Sequence, residues 1–128
     1  MRVRFGALPG QTALRPTVSI AFPDSPGVTT VALVDSGAMA NRFHPQWAEH
    51  LGIDLSTGPV ERVTIANGTY LANVHHIRLQ VGQWTWTAPV AFPQNWNHPH
   101  EVLGLRGFFD EFAVRIVARD NYLALIHR

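Results

Sequence analysis

A chain of 128 residues with 46% apolar content is long enough for one domain with a real core, and its formal net charge of +1 leaves no strongly basic surface for nucleic acid or an anionic membrane. The sequence contains no cysteine, which excludes disulfides, thiolate catalysis and Cys-ligated metal. No apolar run approaches the ~20 residues of a bilayer-spanning helix, and Met1 to Gly6 lacks the long apolar core of a secretion signal, so a cytoplasmic protein with no membrane partner is expected.

Residues 1–15, with Gly6, Pro9 and Gly10, read as an N-terminal arm ahead of a domain spanning 16–128. Thr17 to Phe22 alternates apolar and polar residues as a half-buried strand does, and Pro23-Asp24-Ser25-Pro26-Gly27 is its turn. The apolar, β-branched run Val28 to Val34 completes a hairpin that ends on Asp35-Ser36-Gly37-Ala38. An ionisable carboxylate at the end of a buried strand, followed by a hydroxyl residue and a glycine, suits a tight turn that aims the carboxylate at a cleft.

Pro45 to Gly52 has proline in a first turn, glycine at the stop, and Trp47, Ala48 and Leu51 on one face, which predicts a short helix. Val60 to Leu71 reads as two alternating strands about Asn67-Gly68, a dipeptide suited to the positive φ angles of a type I′ hairpin turn. His76 to Val81 and Trp84 to Phe92 join at Gly82-Gln83, with Trp84 and Trp86 on one face for packing. Glu101 to Phe109 supplies two apolar residues, Gly104 and the start of a second short helix over Arg106 to Glu111, before closing strands Phe112 to Ile116 and Tyr122 to Ile126. The expected class is all-β, a barrel or sandwich with one or two short helices.

The Asp35-Ser36-Gly37-Ala38 turn after its strand, with Val102-Leu103-Gly104 downstream ahead of a short helix, resembles the retropepsin-like aspartic peptidases, in their bacterial and cellular branch. That resemblance covers most of the chain beyond about Arg15. It implies a closed β-barrel of the acid-protease fold that carries half of an active site per chain. Asp35 would be the catalytic residue, Ser36, Gly37 and Ala38 the active-site turn, and Ala66, Asn67, Gly68 and Thr69 the tip of a flap over substrate. Val34, Ile65, Leu103, Gly104 and Leu105 would wall the substrate pocket. Where the retroviral branch has an acidic residue after its turn and an Arg after its glycine, this chain has Met39 and Leu105. Both partners of that ion pair are missing together, and Arg106, one place along, could pair with Glu101 or Asp110.

Aspartic peptidase chemistry needs two carboxylates in hydrogen-bonding reach, one to take a proton from water and one to give a proton to the scissile carbonyl. Of the five aspartates only Asp35 lies in the motif, so the resemblance implies a homodimer acting on peptide or protein substrates without a cofactor. The alternative is a peptide-binding or dimerisation module that keeps the fold without cleavage. Metal binding is not expected: His98-Pro99-His100 sits in a Pro- and Asn-rich loop, and the adjacent His75 and His76 would face opposite sides of a strand. No Gly-X-Ser-X-Gly elbow or phosphate-cradling glycine loop is present.

Overall fold

Alternation of apolar and polar residues builds the strands, and the computed structural model describes them across all residues 1–128. In chain order they are β1 (Arg2–Arg4), β2 (Thr17–Ala21), β3 (Thr29–Val34), β4 (Asn41–Arg42), β5 (Val60–Ile65), β6 (Gly68–Val81), β7 (Trp84–Pro93), β8 (Glu101–Leu103), β9 (Phe112–Val117) and β10 (Tyr122–His127). One α-helix, α1 (Gln46–His50), follows β4, and short 3-10 turns cover Leu55–Thr57 and Ala118–Asp120. No helix is long and apolar enough to cross a membrane.

The main sheet runs β2-β3-β8-β4-β7-β6-β5, and a further pairing of β2 with β6 at Ala21 and Gln80 closes its first six strands into a barrel. Closure removes the free edges that an open sheet would expose. Inward side chains fill the interior: Val18 and Ile20 from β2, Ile77 and Leu79 from β6, and Phe22, Phe43, Phe92, Phe108 and Phe112 around them. Aromatic edges meet faces here, with Phe22 against Phe43 at 5.9 Å between centroids and Trp86 against Phe112 at 5.0 Å. Trp84 also packs on Phe112, so the two indoles share a face, as their spacing predicts.

Residues 1–15 lie against the chain's own C-terminal strands. β1 pairs with β10 and β10 with β9, Gly6 bridges to Arg15, and Leu8 is fully buried. Two local expectations are corrected. The hairpin after β5 turns at Ala66-Asn67, with Ile65 paired to Gly68, and neither central residue has positive φ, so a type I′ turn at Asn67-Gly68 is not formed. Gly68 alone takes φ +133° there. Arg106 to Glu111 forms turns and no helix, because Gly107 at φ +104° breaks the helical run.

Candidate active site

β3 and β8 run parallel through the barrel, pairing Ala32 with Glu101, Leu33 with Val102 and Val34 with Leu103. Asp35 leaves the end of β3 with its N–H donating to the Leu103 carbonyl at 3.0 Å. Its Oδ1 accepts the Gly37 N–H at 2.8 Å and its carbonyl accepts the Ala38 N–H at 3.1 Å, the local bonding that makes Asp a turn residue. Beyond the turn the two segments cross closely. Leu105 N–H donates to the Ala38 carbonyl and Arg106 N–H to the Met39 carbonyl, both at 2.8 Å. Asn41, fully buried, locks the crossing: its Oδ1 accepts the Gly104 N–H at 2.9 Å and its Nδ2 donates to the Pro89 carbonyl at 3.2 Å.

Asp35 opens on a cleft of about 160 Å³ between its own turn, with Gly37, Ala38 and Met39, and the hairpin residues Val63, Thr64, Ile65 and Tyr70, with Arg42 and Val102 completing the wall. Two wider hollows share walls with it. One of about 670 Å³ reaches the loop 94–100, and one of about 540 Å³ reaches Leu105 and Arg106. Asp35 is the only carboxylate of the 160 Å³ cleft. Asp24 pairs with Arg78 at 2.7 Å, Asp54 caps the turn at Ser56, Asp110 accepts the Gly107 N–H, and Asp120 lies beside the terminal sheet. No second carboxylate of the chain lines this cleft with Asp35, and Glu61, in the adjoining hollow, is paired with Arg106.

A sequence profile described as aspartyl protease matches residues 23–105, nearly two thirds of the chain and both segments of the crossing. The chain belongs to the aspartyl protease family. Its fold is retropepsin-like: a crystal structure of a retropepsin-like aspartic protease from Rickettsia conorii superposes with a TM-score of 0.67 at 16% identity, covering 98% of each chain. Among curated proteins, none matches the sequence.

Within this family member the expected site residues divide three ways. Asp35, Gly37, Ala38 and Ile65 meet in the cleft, while Ser36 is exposed at the turn's edge. Asn67 and Thr69 line the larger hollow and Leu105 the other, and Ala66 and Gly68 are exposed at the hairpin tip. Val34 and Leu103 do not face the cleft: at 3% and 0% exposure they belong to the barrel core, and Gly104 is buried in the crossing. Motif proximity misplaces them because consecutive residues at the ends of β3 and β8 are all buried, so these two side chains fill the barrel interior and Val102 borders the cleft. Val63 was recoverable from its period-two spacing to Ile65. Arg42 and Tyr70 belong to no motif.

Those two residues are charge-coupled to each other. Arg42 is half-buried and its Nη2 donates to the His100 carbonyl at 3.0 Å. Burial lowers its pKa, and the Tyr70 and Asp35 charges oppose that shift. Burial raises the Tyr70 hydroxyl, against the pull of Arg42. His98 is pushed down to about 4, by burial first and then by the Arg42 and His100 charges, so its imidazole is neutral near pH 7. Arg106 takes neither Glu101 nor Asp110 as partner. It pairs with Glu61 of β5 at 3.0 Å, an exposed contact of small energetic weight that ties the hairpin to the segment after Gly104.

Glu101 is occupied elsewhere and supports the site from behind. Only 9% exposed, it accepts from the Thr30 hydroxyl, the Trp47 indole and the His44 N–H, the last at 3.0 Å. Burial raises its carboxyl above the ordinary value, and the hydrogen bonds pull the other way. A raised folded pKa means that its stabilising contribution is full below the unfolded value of 4.5 and is lost as pH rises through the folded value. Glu101→Gln stays neutral at every pH and offers an oxygen to the two N–H donors and an amide to Thr30. The melting temperature of the variant relative to wild type is therefore expected to rise as pH increases above the unfolded value of 4.5. Thermal denaturation at a series of pH values checks this, and a flat difference would contradict it.

Proposed function

We propose that the protein is a homodimeric aspartic endopeptidase in which Asp35 and its symmetry mate form the catalytic dyad. The single observation that carries this reading is a turn-held carboxylate facing a cleft that no second carboxylate of its own chain lines. Two such groups brought into contact hold one proton between them, because like charges at that range do not both ionise cheaply. The ionised carboxylate takes a proton from water, the resulting hydroxide attacks the scissile carbonyl, and the protonated carboxyl gives its proton to the carbonyl oxygen. Collapse of the tetrahedral intermediate returns a proton to the leaving amine and restores the dyad.

The turn of Ser36, Gly37 and Ala38 positions this carboxylate, since the Gly37 N–H fixes one oxygen and leaves the other to the cleft. Substrate would lie as an added strand beneath the hairpin, with Ala66 to Thr69 as its flap and alternate side chains directed into the flanking hollows. Incubating wild type and Asp35→Asn with a diverse peptide library from mildly acid to neutral pH, and reading new termini by mass spectrometry, tests the proposal. Cuts made by wild type alone are expected. A dimeric wild type that makes none would instead favour a peptide-binding module.

A further inference from the structure

Arg42 is placed in the cleft by strand alternation. β4 is only two residues long, paired with β7 at Asn41–Val90 and Arg42–Ala91 and with β8 at Arg42–Val102. Asn41 turns into the barrel and is fully buried, so Arg42 turns outward to the wall that holds Asp35.

Its guanidinium is incompletely satisfied. Nη2 donates to the His100 carbonyl, while Nε is buried without any partner. The chain's ion pairs are Arg78–Asp24, Arg106–Glu61 and His127–Glu111, and none involves Arg42. A partly desolvated cation with an orphaned donor and no direct ion pair is costly, and an incoming anion offsets that cost.

The 670 Å³ hollow beside it suits such an anion. Arg42 is joined there by Tyr70, His98, His100 and the side-chain amides of Asn67, Asn95 and Asn97, and no acidic residue lines it. These groups supply hydrogen-bond donors for a carboxylate, and the Asp35 carboxyl lines the neighbouring cleft and not this hollow. We propose that Arg42 makes this hollow a carboxylate-binding subsite beside the dyad, selecting peptides that place an acidic side chain or a free C-terminus there. The inference builds on the peptidase reading by naming the substrate class, and its test is one of binding.

Paired fluorescent peptides that differ only by Glu or Gln at successive positions, with a second pair ending in a free acid or an amide, would be titrated onto Asp35→Asn protein. Fluorescence polarisation reads affinity without any cleavage. One Glu position, or the free acid, is expected to bind about tenfold or more tightly than its neutral twin, as a charge-assisted contact does. In Asp35→Asn with Arg42→Gln that ratio is expected to fall close to one, and with Arg42→Lys to survive in part. The two arms tell a side-chain carboxylate from a terminal one. Equal affinities for every pair, no binding of any peptide, or a ratio unchanged by Arg42→Gln would each overturn the subsite. Failure of wild type to cut any peptide would instead sink the catalytic reading, and a charge-dependent ratio that needs Arg42 would still stand.

Discussion

Mixing wild-type and Asp35→Asn subunits in equal amounts, at fixed total protein and after exchange, is expected to leave about one quarter of the activity of pure wild type. Random pairing gives wild-type, mixed and doubly substituted dimers as about 1:2:1, and only the first carries two ionisable carboxyls. Asparagine neither accepts the proton from water nor donates one to the scissile carbonyl, so a single substituted subunit disables the shared site. The pure Asp35→Asn protein is expected to lose about 10³-fold or more, since removing a positioned acid–base group costs at least the factor it supplies. A site complete within each chain predicts about one half for the same mixture. A fluorogenic substrate read across a series of mixing ratios separates a quadratic from a linear dependence on the wild-type fraction. Sedimentation of the same mixtures checks that the substitution has not altered assembly.

Most of the fold was legible because it rests on local signals. Alternation in Thr17 to Phe22 and in Trp84 to Phe92 sets which face is buried, and Gly82 at φ +56° supplies the turn between β6 and β7 that its position announces. The errors arise where a local preference meets a constraint from distant chain. Asn67-Gly68 favours a type I′ turn, yet the pairing of β5 with β6 sets the two-residue loop one position earlier. Arg106 to Glu111 has the length of a helical turn, but Gly107 is held at positive φ against the Asn41 amide and the Pro89 carbonyl. Within the site, Asp35 and its turn were legible because their bonds run over two or three residues. Arg42, Tyr70 and Val102 were not. Arg42 stands in the cleft only because β4 lies between β7 and β8, a neighbourhood set by residues about 50 positions away. The role of Glu101 was hidden for the same reason: its partners come from two distant parts of the chain, Thr30 in β3 and His44 and Trp47 around the start of α1.

Gly104→Ala is expected to be among the most damaging single substitutions to the fold, although it adds only a methyl group. A Cβ at this position would lie 2.6 Å from the Ala40 carbonyl oxygen, 2.7 Å from the Ala38 carbonyl oxygen and 2.9 Å from the Ala40 carbonyl carbon. All three are backbone atoms, so no side chain can swing aside to make room. The strand must withdraw from the turn, and three hydrogen bonds would weaken together: Gly104 N–H to Asn41, Leu105 N–H to the Ala38 carbonyl and Arg106 N–H to the Met39 carbonyl. At about 1 kcal/mol for each bond, with 1–3 kcal/mol for overpacking, the loss is roughly 4–6 kcal/mol. For a domain of this size that corresponds to a fall in melting temperature on the order of 15 °C. Gly27→Ala is the matched control, because its φ of +84° imposes a backbone penalty of about 1 kcal/mol while its Cβ would meet nothing within 4 Å. Calorimetry on both variants separates close approach from conformational freedom as the reason for glycine. A melting temperature for Gly104→Ala no lower than that of Gly27→Ala would mean that the crossing can open without cost. Because Asp35 N–H hangs on the Leu103 carbonyl immediately before Gly104, the same withdrawal moves the carboxylate. Peptide cleavage is therefore expected to fall in this variant even at temperatures where it remains folded.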